Sequence, residues 1–177
     1  MSVNPAPLQV YDQPHQFEPL LPTQKLGELS EITRRIFEKS SEMKGSASPQ
    51  ARAALREIVR SMNSYYSNRI EGQSTHPVNI ERALSKDFSD TPDVARRQRV
   101  ALAHIDAERE LEEIVTTEAG ALSSGFLKQA HENLYRRLPE PDRLTDDGRV
   151  IIPGSLRTHD VAVGRHQPPA WKSIPRF

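Results

Sequence analysis

The sequence predicts a mainly all-α chain, a helical bundle that carries a β-hairpin flap near its C-terminus. Three observations lead there. Between residues 26 and 138 the apolar side chains recur at helical rather than alternating spacing. Ser48-Pro49 and Thr91-Pro92-Asp93 each pair a capping hydroxyl with a proline at the first helical position, where the missing N–H is not needed and φ is already set. After Pro139 the pattern changes to two short β-branched runs, 150–152 and 161–163, punctuated by Gly154 and Gly164.

Taken in order, residues 1–22 read as a Pro-rich arm. Pro5, Pro7, Pro14, Pro19 and Pro22 deny it a sustained period, and Tyr11, Phe17 and Leu20 are its side chains for packing. Leu26, Leu29, Ile32, Ile36 and Met43 place a first helix over 26–43, which the following GSAS should break. From Pro49 a second helix carries Ala51, Ala54, Leu55, Ile58, Val59 and Met62 on the cleanest amphipathic face in the chain. Residues 64–72 read as a further short helix stopped by Gly72, and Pro77 opens another to about residue 84.

The longest helix runs from Thr91 to about residue 117. Val100, Ala103, Ala107, Leu111 and Ile114 form one apolar stripe on it, and Val94, Ala101, Leu102 and Ile105 a second, so it should be buried on two sides. Ser123 or Ser124 caps a last helix with Leu127, Ala130, Leu134 and Leu138 on one face. Residues 155–166 are expected to form the hairpin. These changes of character divide the chain into an arm (1–22), a helical region (23–90) and a flap-bearing region (91–177).

Composition bounds the function. Lys and Arg total 24 against 24 Asp and Glu, so polyanion binding driven by bulk charge is excluded and no nucleic-acid partner is expected. The absence of Cys excludes disulfides, thiolate zinc and a Cys nucleophile. No apolar run approaches the roughly 18–20 residues that span a bilayer, and MSVNPAPLQV has no signal-peptide pattern; a cytoplasmic protein without a membrane partner is expected. Apolar residues make up 36% and mean hydropathy is −0.66, which predicts a thin core.

Motifs narrow it further. Neither GxxxxGK[ST] nor GxGxxG occurs, so the chain has no phosphate cradle of its own. His104, His131, His159 and His166 lack zinc-site spacing, and the pairs Arg34-Arg35, Arg96-Arg97 and Arg136-Arg137 lie in acid-rich helices as solvated faces would. Ser67 and Glu71 are i and i+4, which on a helix puts them on one face with the carboxylate at the C-terminal end. The helix dipole disfavours an anion there, so Glu71 is expected to meet a cation elsewhere. An ordinary surface Ser and Glu before a helix-stopping Gly would read the same way.

Two segments together go beyond periodicity. SNRIEG (67–72), behind FEPLLP (17–22), resembles the inhibitory helix of Fic family proteins, whose motif is Ser or Thr, three residues, Glu, then Gly or Asn. IPGSLRTHDVAVGRHQPP (152–169) resembles the family's flap segment, and FLKQAHENLYRRL (126–138) its core helix just ahead of the flap. The resemblance spans residues 17–177.

It implies a Fic-type bundle and adenylyl transfer from ATP, with Mg²⁺, to a hydroxyl side chain of a target protein. The family's flap would be Ser155, Leu156, Arg157, Thr158, His159, Asp160, Val161, Ala162, Val163 and Gly164, clamping the target as an added strand. Ser67, Glu71 and Gly72 would be the inhibitory motif. Glu71 would pair with the last Arg of the family signature H-x-F-x-D/E-G-N-G-R-x-x-R, the group that ATP's γ-phosphate needs, with Ser67 supporting it one turn earlier.

That signature, with its general base, Mg²⁺-binding acid and phosphate loop, does not occur in these 177 residues, and His159 is no substitute for its base. The chain is therefore expected to stop short of the catalytic loop, to hold neither ATP nor Mg²⁺ tightly and to be inactive alone. An interaction module presenting its inhibitory helix to another Fic protein is the main alternative, and an unrelated helical scaffold a third. The longest helix expects neighbours on both stripes, while the other helices are expected to cover mainly one. Marginal stability, or self-association through the exposed apolar face, is expected to follow.

Overall fold

A computed structural model describes residues 9–18, 20–73, 75–114 and 118–176. The start of the N-terminal arm, Pro19 and the expected end of the longest helix at 115–117 lie outside the described residues. The described part is mainly helical. Its contacts divide the chain into two compact units, residues 47–155 and residues 1–46 with 156–177. These boundaries differ from the compositional ones at 22/23 and 90/91, because helices on either side of residue 90 share one core.

In the unit of residues 47–155, α2 (Pro49–Ile70) begins as expected: Ser48 is the N-cap, its hydroxyl accepting from the Ala51 N–H at 3.1 Å, with proline at the first helical position. The break expected before residue 64 does not occur. Helix α2 runs on through residue 64, where Ser64 is fully buried and donates to the Ala101 carbonyl at 3.0 Å. Gly72, at φ +71°, ends the helix. Its N–H donates to the Arg69 carbonyl (3.1 Å) and that of Gln73 to Asn68 (2.8 Å), the bond pair of a Schellman cap.

After α2 come α3 (Pro77–Leu84), α4 (Pro92–Ile114), α5 (Glu118–Ala121) and α6 (Ser124–Tyr135). Ser123 caps α6, accepting from the Phe126 N–H at 3.1 Å. The central element is α4, which packs against α2, α3 and α6. Ala101 and Ile105 of its one stripe meet Ile80 of α3, with Tyr65 of α2 packed on them, and Ala107 and Leu111 of the other face α6. Both stripes therefore have neighbours, which corrects the expectation that mainly one would.

The core is thin all the same: five of the eight buried apolar residues among those described are alanines. Leu55, Ile58, Val59 and Met62 of α2 remain exposed, with Ile58 and Met62 lining a shallow cleft beside Pro77 and Ile80 of α3. Polar groups hold much of the unit together. Arg60, buried, pairs with Glu57 and Glu112, and Arg99 forks onto the buried Asp142 at 2.5 and 3.1 Å. Arg137 is half-buried and Arg136 exposed, and both bond Glu110 of α4, so this face is paired as well as solvated.

The other unit contains α1 (Leu26–Ser46), which runs past 43 through Gly45 and has no buried residue. Its N-terminal part pairs β1 (Gln9–Val10) in parallel with β2 (His166–Gln167), in the register Gln9 opposite His166. Tyr11 packs on Phe17 and His166, with ring centroids 5.9 and 5.8 Å away, whereas Leu20 is fully exposed.

Candidate functional site

The C-terminal end of α2 places the motif SNRIEG. Ser67 and Glu71 sit one turn apart, the Glu71 N–H donating to the Ser67 carbonyl at 3.3 Å. Both side chains are exposed, and among the described residues neither has a hydrogen bond or ion pair. The nearest cation in sequence, Arg69, turns back along the helix: it donates to the Tyr65 hydroxyl at 3.3 Å and lies 6.0 Å from that ring's centroid. Glu71 thus stands as an uncompensated anion at the negative end of a 22-residue helix, with the Gly72 cap fixing where the backbone stops. Such an end can receive a guanidinium. If no cation meets Glu71 in this chain, Glu71→Lys should stabilise the helix by about 0.3–1 kcal/mol, read as a higher urea midpoint; a lower midpoint would mean that Glu71 is already paired.

The segment of residues 155–164 differs from the expected hairpin. Among the described residues it holds a single bridge, Val163 with His166, closed by two backbone bonds of 2.9 Å around Gly164 at φ +58°. The strand that follows pairs with β1 and not with 155–162, because Arg157 and Asp160 are committed to folding the segment on itself. Arg157 donates to the carbonyls of His159 (2.7 Å) and Pro169 (2.5 Å), and the Asp160 carboxylate accepts from the Trp171 N–H at 2.8 Å, capping the 3₁₀ turn Trp171–Arg176. Leu156, Thr158, Ala162 and Val163 are exposed, as are Ser155 and Gly164, while His159 and Val161 are half-buried. The backbone of 155–162 is in no sheet ladder; its His159 carbonyl accepts from Arg157, and the Ser155 N–H donates to the Ile152 carbonyl at 3.1 Å. The SNRIEG end and residues 156–164 belong to different units.

Sequence reasoning missed a cleft of about 700 Å³ between α4 and α6, lined by His104, Glu108 and Leu111 on one side and Phe126, His131 and Tyr135 on the other. Its signal was present in the i, i+4 pairs His104/Glu108 and His131/Tyr135. Burial pushes both imidazoles below the ordinary histidine range, with Glu108 partly opposing it at His104. The unfolded chain, titrating near pH 6.5, then binds protons more tightly than the folded one. Stability contributed this way is full above about pH 6.5 and falls as pH drops through the folded values. The carboxylates held low by arginines, Glu57 and Glu110 among them, add their loss only at lower pH. Urea midpoints measured across this range should fall first below about pH 6.5; a flat profile down to about pH 5 would contradict the assignment.

Among the described residues no three His, Asp or Glu side chains converge as metal ligands, and no helix is long and apolar enough to cross a membrane. Comparison with family models, with curated proteins and with solved structures finds no match to this chain.

Proposed function

We propose that this chain is the regulatory and flap-bearing part of a Fic-type protein adenylyltransferase, which moves AMP from ATP to a side-chain hydroxyl of a target protein. The observation that carries the reading is the exposed, unpaired Glu71 carboxylate on a capped helix end, within a motif whose family role is to bind an arginine. Ser67, Glu71 and Gly72 form the gate. Residues 155–164 receive the target, through backbone groups that no ladder occupies. ATP and Mg²⁺ belong to the complete enzyme, where the signature supplies base, metal ligand and phosphate loop; these 177 residues contain no such signature and carry no transfer by themselves.

The bulk charge is balanced, so the partner is a protein and not a nucleic acid. Incubation with labelled ATP, Mg²⁺ and a lysate tests the reading: the chain alone should label nothing, and the chain joined to a signature-bearing segment should label protein hydroxyls. Labelling by the chain alone, or none by the joined form, would overturn it. A second reading, an inhibitor acting on a separate Fic protein, is favoured by the full exposure of the motif at a helix end, and it predicts suppression of that protein's activity by the wild-type chain but not by Glu71→Gly.

A further inference from the structure

We propose that His131 is the positioning residue of the flap: it latches the turn from which residues 155–164 depart, and protonation opens that latch. The flap's role rests on the reading given above; the latch itself does not. The Gly154 N–H donates to His131 Nδ1 at 3.0 Å, tying the loop end of this unit to the middle of α6. Gly154 lies at φ +74°, where a side chain is strained, and a Cβ there would stand 3.2 Å from the Glu132 Cβ. The turn is therefore pressed onto α6, with glycine required by both its dihedral and the close approach. Ser155, the next residue, is where the chain leaves the unit.

The chemistry of the bond makes it conditional. Accepting at Nδ1 puts the neutral imidazole's proton on Nε2, and the Tyr135 ring, 4.6 Å away by centroid, holds the ring's orientation. A protonated imidazole carries N–H at both nitrogens, so its Nδ1–H would oppose the Gly154 N–H and the bond would be lost. The titratable groups around it are Glu132 and Tyr135 on its own helix and His104, Glu108 and Glu112 from α4 across the cleft; residues 153–155 contribute none. Glu112 is paired with Arg56 and Arg60, and Glu108, which accepts from Asn63 at 3.5 Å, acts on His104, leaving burial as the cause that sets the proton affinity of His131. Burial, which lowers the imidazole's proton affinity, keeps the latch closed at neutral pH.

The test is the hydrogen-exchange protection factor of the Gly154 amide, measured by NMR on the full chain between about pH 5 and 8. The wild type should protect this amide at the upper end and lose protection in acid. His131→Asn, whose Oδ1 can accept from the same branch of the side chain but does not titrate, should keep protection with no pH dependence. His131→Phe, which keeps the ring and removes the acceptor, should lower protection at least about tenfold at every pH while the α6 amides stay protected. Equal protection in wild type and His131→Phe, or a wild-type pH profile in His131→Asn, would overturn the latch. In the signature-bearing form, His131→Phe should raise KM for the protein target more than it lowers kcat, and His131→Asn should restore KM; unchanged KM would overturn the positioning role. Absence of any transfer by that form, with the exchange results as expected, would defeat the transferase reading and leave the latch standing.

Discussion

Gln98→Leu should cost about 3–5 kcal/mol, the largest stability loss of any single side-chain change considered for this chain. Gln98 is fully buried in α4, and its amide is fully used. The Oε1 accepts from the Ser89 N–H at 2.7 Å, and the Nε2 donates to the carbonyls of Asn79 (3.1 Å) and Asp87 (3.2 Å). One side chain thus satisfies three backbone groups from α3 and from the loop that leads into α4. Leucine has a similar volume, so the change creates little cavity. It leaves the Ser89 N–H and the Asp87 carbonyl without the side-chain partner they have here and takes the second bond from the Asn79 carbonyl, which stays in the α3 ladder, at about 1–3 kcal/mol for each group left unsatisfied where water cannot reach. Against a typical total of about 5–15 kcal/mol and a core made largely of alanine, that is enough to unfold much of the population. Urea denaturation followed by circular dichroism reads it directly. A loss below about 1 kcal/mol would mean that water reaches these groups and that Gln98 is not the joint between α3 and α4.

Glu71→Gly should raise AMP transfer by roughly 10–100-fold in a form of the protein that carries the catalytic signature. Under the proposed function the Glu71 carboxylate holds the signature's last arginine through charge-assisted hydrogen bonds, each worth about 1.5–3 kcal/mol. Removing them frees the arginine for the γ-phosphate, and one such bond corresponds to about one to two decades of rate. Glu71→Gln, which keeps an acceptor without the charge, should fall between, and Ser67→Ala should release the gate only partly. The carboxylate at the helix C-terminus gains nothing from α2 itself, so its loss should not destabilise the helix. Stability and activity therefore separate: the same substitution that opens the gate leaves the urea midpoint unchanged or lowers it only by the cost of a glycine at the helix end.

The elements legible in the sequence were those with a covalent or periodic signature. Ser48-Pro49 and Pro77 mark helix starts through a fixed φ and Ser123 through its hydroxyl, and the structure begins helices at each, His76 adding an unread cap at Pro77. The two stripes of α4 were equally readable, because burial on two sides leaves two apolar rows. What could not be read were long-range polar partnerships. Residues 64–72 read as a separate short helix, since nothing local announces that Ser64 bonds Ala101, 37 residues on. Arg136 and Arg137 looked solvated because Glu110 lies on another helix. Residues 155–166 read as a hairpin from the β-branched runs at 150–152 and 161–163 and the glycines at 154 and 164, but the internal bonds of Arg157 and Asp160 compete with a ladder and depend on Pro169 and Trp171. At the candidate site the Ser67/Glu71 spacing and the Gly72 stop were visible at once. The cleft holding His104 and His131 was not, since it exists only where α4 and α6 face each other.

The initial rate of AMP incorporation in the signature-bearing form, compared between wild type and Glu71→Gly at matched folding, tests most directly whether the end of α2 is a gate. The glycine variant should be at least about tenfold faster, equivalent to about 1.4 kcal/mol of restraint released. Equal rates in two equally folded proteins would contradict it.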